Sequence, residues 1–220
     1  MIDLSTMKKD TFTEALGSSL NVVDEANNEI ASLVPIGNWA LKDNELLGSF
    51  ANWRQTFMRF FLTQFTASKE STHDYLKNLS VRQSNRIFFA IYVGDVLVGH
   101  IGLSNVTETR VELDNIIRGV SGGHKDLMYY SEKTLLDWAF STLNVKTVDA
   151  QIMSKNFMAL SLHERFDVKL KERHPLKKVT GENSITYERC DKTEATEEFC
   201  LNIIEFSRED FSLATSFNRS

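Results

Sequence analysis

The chain has 220 residues, 42% hydrophobic and 25% charged, proportions that let one domain bury a core without metal or disulfide staples. Lys and Arg number 25 against 30 Asp and Glu, so no overall basic field favours nucleic acid. Cys190 and Cys200 lack the CxxC or His spacing of zinc and redox sites, and no apolar run reaches the length of a membrane span.

The opening MIDLSTMKKD has no apolar secretory core, which predicts a cytoplasmic protein. No repeat or low-complexity segment interrupts the chain, and its only prolines are Pro35 and Pro175; a single domain over residues 1–220 is the simplest organisation. From Leu46 to Leu79, Phe50, Trp53, Phe57, Phe60 and Phe61 recur at steps of three and four, predicting two helices broken near Thr66–Thr72, with Ser71 or Thr72 capping the second. The period then changes. RIFFAIYV and VLVGHIGL flank Gly94-Asp95 as a hairpin, and RVELDNII follows as a third antiparallel strand. Helical spacing returns from His124 to Leu143. A strand at Thr147–Met153, a short helix at Asn156–Phe166 and strands at Val168–Val179, Ser184–Arg189 and Phe199–Phe206 complete the reading. The last strand either completes the sheet or pairs across a dimer edge, which leaves a homodimer open. This order is α+β with a mixed sheet.

Between the strand ending at Ile117 and the next helix lies RGVSGGHK. Glycines admit positive φ and close approach of a ligand to the backbone, and amides at a helix N-terminus attract anions, so the stretch reads as a cradle for a diphosphate. Its glycines equally suit a plain strand-to-helix turn. The spacing of Gly119, Gly122 and Gly123 matches neither GxxxxGK[ST] nor GxGxxG.

Arg118 and Gly123 do match the first and last positions of Arg/Gln-x-x-Gly-x-Gly/Ala, the pyrophosphate loop of the GNAT superfamily of acyl-CoA-dependent N-acyltransferases, with Ser121 replacing the middle glycine. The segment from Asn156 to Val168 resembles a second pattern of that family, Asn-x-x-Ala-x-x-Leu-Tyr-x-x-x-Gly-Phe: Asn156, Ala159 and Leu162 match, His163 holds the tyrosine position, and Asp167-Val168 replaces Gly-Phe. The resemblance implies a mostly antiparallel mixed sheet with helices on both faces and splayed central strands. It implies acyl-CoA as co-substrate, held by the backbone from Ile117 and Arg118 through Gly119, Ser121, Gly122 and Gly123 to His124, with Asn156 on the pantetheine arm and neither metal nor permanently bound cofactor.

Acyl transfer from a thioester to an amine needs a base, an oxyanion donor and a proton for the thiolate. His163, with Ser161 as fallback, is the candidate acid. Asp114 is the candidate base, with Glu112 sharing its strand face and His100 a further option. In the N-terminal helical region, Trp39, Trp53, Arg54 and Phe57 are candidate acceptor contacts, because rings stack on bases and guanidiniums grip phosphates. NWRQTFMRFFLTQF and ELDNIIRGVSGGHKDLM also look like the branch of the family that N-acylates nucleotide-linked amino sugars for bacterial surface polysaccharide. The expected reaction is direct attack in a ternary complex. The alternatives are a protein N-terminal acetyltransferase of the ribosomal type and a non-catalytic acyl-CoA sensor.

Overall fold

The computed structural model describes residues 4–211, so the first three residues of the N-terminal stretch lie outside it. The N-terminal part holds α1 (Phe12–Leu16), β1 (Leu20–Val23) and β2 (Glu29–Pro35), followed by α2 (Asn44–Phe57), β3 (Thr63–Phe65) and α3 (Lys69–Leu76). Then come β4 (Ile87–Val93), β5 (Val96–Ser104), β6 (Arg110–Arg118), α4 (Leu127–Ser141), β7 (Thr147–Met153), α5 (Phe157–His163), β8 (Lys169–Thr180), β9 (Ser184–Arg189) and β10 (Cys200–Ser207).

The predicted elements from β4 onward are all present. Reality departs from expectation before them. The helical run beginning at Leu46 ends at Phe57, and Thr63–Phe65 pairs with β9 instead of extending a helix. Ser68, not Ser71 or Thr72, caps α3: its hydroxyl accepts the amide of Ser71, whose own hydroxyl returns to the Ser68 amide. That reciprocal pair satisfies two amides that the helix leaves open.

Ten strands form one sheet in the order β1-β2-β4-β5-β6-β7-β10-β8-β9-β3. Only β6 and β7 run parallel; the other neighbours are antiparallel. β10 therefore completes the sheet between β7 and β8. Both faces are covered, which explains why β4 reads as the unbroken apolar run IFFAIYV. Ile87, Phe89 and Ile91 pack with Leu127, Leu135 and Leu136 of α4, while Phe88 and Ala90 pack with Phe50, Trp53 and Leu76 beneath α2 and α3.

Two local irregularities shape the middle of the sheet. β6 pairs with β7 only from Arg110↔Thr147 to Leu113↔Ala150. β7 stays bonded to β10 as far as Met153, and β6 turns away with β5, leaving a gap between Asp114–Arg118 and the end of β7. At that divergence β6 bulges: Gly102 faces Asp114 while His100 faces Ile117, and Asn115 takes a left-handed φ of 52°. The bulge reverses the alternation. Val111 and Leu113 point into the α4 cluster, as does Ile116, whereas Ile117 points beneath α2.

Candidate active site

The loop after β6 is exposed from Val120 to Gly123. Gly122 and Gly123 have φ of 118° and 72°, conformations that a side chain would strain. Gly119 is glycine for a different reason: a β-carbon there would sit 1.8 Å from Cε2 of Trp53. Arg118 folds back over the loop and donates to the carbonyls of Gly122 (2.6 Å) and Lys125 (3.5 Å). A trans peptide directs its carbonyl and the following N–H in opposite directions, so holding the Gly122 oxygen turns the Gly123 amide away from the guanidinium.

The cradle is narrower than the sequence suggests. The amides of Gly119 and Val120 are both spent on the Val98 carbonyl, at 2.8 and 3.2 Å, because β5 extends its ladder into the loop. Ser121, Gly122, Gly123, His124 and Lys125 keep amides without a partner among the described residues. His124 is half-buried, and its Nδ1 accepts the Asp126 amide. No side chain caps α4; the Asp126 carboxylate accepts instead from Arg165, at 2.9 Å. The loop amides and the uncapped first turn of α4 thus face solvent next to the gap, an arrangement suited to polyphosphate.

Asn156 caps α5 through Oδ1, which accepts the Ala159 amide at 3.3 Å. Its Nδ2 donates to nothing among the described residues. Four residues past the end of α5, Asp167 adopts φ 54° and ψ 45°, so it takes the left-handed turn at the position where the Asn-to-Phe pattern carries glycine. Aspartate tolerates this region better than most residues.

The candidate catalytic residues are not brought together. His163 is 3% exposed, with its Nδ1 2.6 Å from Glu132 Oε1 and its ring edge-on to Phe206; it belongs to the core on the α4 face. Asp114 alternates with Leu113 and so faces the α2 and α3 side of the sheet, where Arg86 holds it at 3.0 Å. Ser161 is exposed on α5. Glu112, still in the paired part of β6, accepts from Asn105 and Gln151, and burial pushes its pKa up. The His100 Nδ1–H donates to the Asn115 carbonyl at 2.7 Å, and burial pulls its pKa down to about 4, leaving a neutral ring that braces the bulge.

Of the acceptor candidates, Trp39 is 6% exposed and donates Nε1 to the Pro35 carbonyl. It is a core residue with no free face for stacking. Trp53 walls the loop at Gly119, and Phe57 is half-buried against the same cluster. Arg54 stands apart. Its guanidinium lies 3.4 Å over Phe61 and 5.6 Å from Phe65, donates to the Thr63 carbonyl, and has a buried Nε with no partner among the described residues. Desolvation lowers its pKa to about 10, so it stays charged at neutral pH.

Sequence reasoning passed over Tyr75 and Asn115. The Asn115 Nδ2 donates to the Tyr75 hydroxyl at 2.9 Å, joining the bulge to α3. Burial, with the Asp114 charge, raises the Tyr75 pKa to about 12. The adjacent isoleucines at 116 and 117 were the available signal, since they break the alternation of β6. Lys155, just past β7, lies 3.5 Å over the Phe199 ring.

A divergence of two parallel central strands, a bulge at the divergence and an amide-rich loop entering a helix are thus in place. The family model for the acetyltransferase (GNAT) domain matches residues 36–169. The chain belongs to the GNAT family. No curated protein matches the chain in sequence. Similar solved structures include a GCN5-related N-acetyltransferase from Brucella melitensis, at TM-score 0.64 and 13% identity over 87% of this chain and 82% of that one. Spermidine N-acetyltransferase from Vibrio cholerae, in complex with CoA and spermine, gives TM-score 0.63 and 14% identity over 84% of this chain and 99% of the other. The Campylobacter jejuni N-acetyltransferase PseH with acetyl coenzyme A gives TM-score 0.50 and 15% identity, covering 76% and 92%. Membership makes this GNAT protein an acyl-CoA-dependent N-acyltransferase with acyl-CoA as co-substrate. Among the described residues, no helix is long and apolar enough to cross a membrane.

Proposed function

We propose that the protein transfers an acyl group from acyl-CoA to the amino group of a nucleotide-linked amino-deoxy sugar, by direct attack in a ternary complex. The observation that carries this reading is Arg54, a cation walled by Phe61 and Phe65 with an unmet buried Nε. A buried donor without a partner costs about 1–3 kcal/mol, and an anionic ligand would relieve it. Lys155, just past the end of β7, adds positive charge near the gap, while Arg86 is neutralised by its pair with Asp114. Spermine, bound in the Vibrio cholerae structure, would meet repulsion here; a nucleotide diphosphate with a flat base would meet guanidinium and rings.

The chemistry follows from the gap. Pantetheine lies along the unpaired edge of β6, with the diphosphate on the amides of residues 121–125 and Asn156 on the pantetheine arm. At the bulge, two residues of β6 oppose one of β5, which takes backbone groups out of the ladder beside the thioester carbonyl. These donors meet the oxyanion when the amine nitrogen attacks. The carbon–sulfur bond then breaks, the amide forms, and the thiolate takes a proton. Tyr75, protonated at neutral pH and tied to the bulge through Asn115, is the donor on this face. Asp114, ion-paired with Arg86, receives the amine proton through water.

Thiol release from acetyl-CoA, followed with dTDP- and UDP-linked amino sugars, peptides and polyamines in parallel, tests the assignment. Release with the nucleotide sugars and a KM raised at least tenfold in Arg54→Gln are expected. Release with peptides or polyamines alone overturns the acceptor class, and donor binding without release on any acceptor favours the sensor.

A further inference from the structure

Two cations flank the gap from opposite banks. Arg54 stands on the β6 side, where it acts electrostatically on Asp114 of β6 and on His100 of β5. On the β7 side stands Lys155, two residues beyond Met153, where that strand ends. Its Nζ lies 3.5 Å from the centre of the Phe199 ring and 5.1 Å from that of Tyr187. Those two rings meet edge to face, with centroids 5.3 Å apart and planes at 68°, and both pack with Leu62 on the buried Met153, Leu176 and Leu201. Leu62 belongs to the segment between α2 and α3, and its carbonyl accepts the Tyr187 amide at 2.8 Å. The ring pair beside the ammonium is thus tied to the segment that carries Phe61 and Phe65, the rings next to Arg54.

No carboxylate holds this lysine. Its side chain makes no hydrogen bond or ion pair among the described residues, whereas Lys133, Lys169, Lys171 and Lys177 each hold an acidic side chain. Glu197 favours the charged form from a distance, but desolvation outweighs it and lowers the Lys155 pKa. Ring contact offsets part of that desolvation without supplying a negative charge. Arg54 likewise holds no carboxylate among the described residues. The two banks therefore offer two uncompensated positive charges to a ligand that enters over the gap from the α2 and α3 side. A gap that leaves out one strand sets its banks roughly 10 Å apart: a single phosphate meets one bank, and two linked phosphates meet both.

We propose that Lys155 is a specificity-determining residue for the acceptor, which with Arg54 clamps the diphosphate joining nucleoside to sugar, one cation to each phosphate. The inference rests on the nucleotide-linked acceptor proposed above, and it adds a reason for a diphosphate in place of a monophosphate. An ammonium has three donors, so N–H groups remain for phosphate oxygens on the side away from Phe199. The packed rings hold the base of the lysine stem against the core, which limits the side-chain freedom lost on binding.

Calorimetric titration of the CoA-saturated full chain with UDP, dTDP, UMP and dTMP reads the clamp without turnover, and saturation with CoA keeps these probes off the donor loop. Wild-type protein should bind the diphosphates about tenfold or more tightly than the monophosphates, and Lys155→Gln should remove most of that preference, as expected for the loss of a charge-assisted bond. The melting temperature of the free variant should be little changed, and Lys155→Arg should keep most of the preference. Unchanged diphosphate affinity in Lys155→Gln overturns the proposal. So does an equal loss for diphosphates and monophosphates, which would reduce Lys155 to a diffuse field. A fall in CoA affinity in place of nucleotide affinity, read by titrating the ligand-free variant with CoA, overturns it too by moving the residue to the donor. Wild-type protein that binds CoA but none of the four nucleotides overturns the nucleotide-linked acceptor, and this inference with it.

Discussion

Gly119→Ala isolates the contact that seats the glycine loop. The added carbon would lie 1.8 Å from Cε2 and 2.0 Å from Cδ2 of Trp53, whereas carbon atoms rest at about 3.5–4.0 Å. The ring or the loop must therefore yield by roughly 2 Å. Trp53 is 8% exposed and packs on Phe50 and His100, and the loop is pinned by the Gly119 amide to Val98, so neither moves freely. Overpacking of this kind costs about 1–3 kcal/mol. For a chain of this size that lowers Tm by about 2–12 °C. If the amides of residues 121–125 hold the diphosphate as proposed, the same displacement moves them off it, so CoA affinity should fall about tenfold or more, a change of about 1.4 kcal/mol or more. Differential scanning fluorimetry and CoA titration read the two effects. Gly119→Ala/Trp53→Leu should recover part of both, with a coupling energy above about 0.5 kcal/mol. Unchanged Tm and unchanged CoA affinity in the single variant would refute the argument that Trp53 positions the loop.

Burial holds His100 at a pKa of about 4 against 6.5 when free, so between those values the unfolded chain binds a proton that the folded chain refuses. Stability linked to His100 is intact above pH 6.5 and is lost as pH falls toward 4, by about 3 kcal/mol in all; His100→Gln should flatten that part of the Tm–pH profile, and an unaltered slope counts against it. His163→Ala leaves Glu132, whose side chain is 0% exposed, without its partner, and should cost about 3–5 kcal/mol. Glu132→Leu/His163→Leu should restore much of that loss in thermal denaturation; a His163→Ala variant of native Tm and lost turnover would instead return His163 to the chemistry. Cys200 faces Pro175 across β10 and β8, and the Cys190 amide bonds the Pro175 carbonyl from β9. The thiols are thus about two strand spacings, roughly 10 Å, apart, beyond disulfide reach. Both should titrate with Ellman's reagent after mild oxidation, and an internal disulfide detected by mass would contradict the register.

From β4 onward the chain announced its elements, because burial against one or two packed faces imprints a period of two or 3.6 on consecutive residues. The hairpin at Gly94-Asp95, the helix over Leu127–Ser141 and the strand Thr147–Met153 were legible on that basis. So was the loop at Arg118–His124, where Gly122 and Gly123 answer local backbone demands, although Gly119 answers the tertiary contact with Trp53. The short strands at Leu20–Val23, Glu29–Pro35 and Thr63–Phe65 were not legible. Each is brief, and Thr63–Phe65 continues the three-and-four spacing of the helix before it, so only pairing with β9 makes it a strand. The site divides in the same way. Residue types told of a thioester carrier and an amine, but His163 and Asp114 sit on opposite faces of the sheet, because which face a residue meets depends on register and on the bulge at Asn115. The positions of Arg54 over Phe61, Tyr75 against Asn115 and Arg165 over Tyr129 were likewise decided by tertiary structure. Apart from the short Arg54–Phe61 step, these pairs join residues 40 and 36 positions apart, brought together by the packing of α3 on β6 and of the end of α5 beside α4. No local period encodes such a meeting; it exists only once the layers have packed.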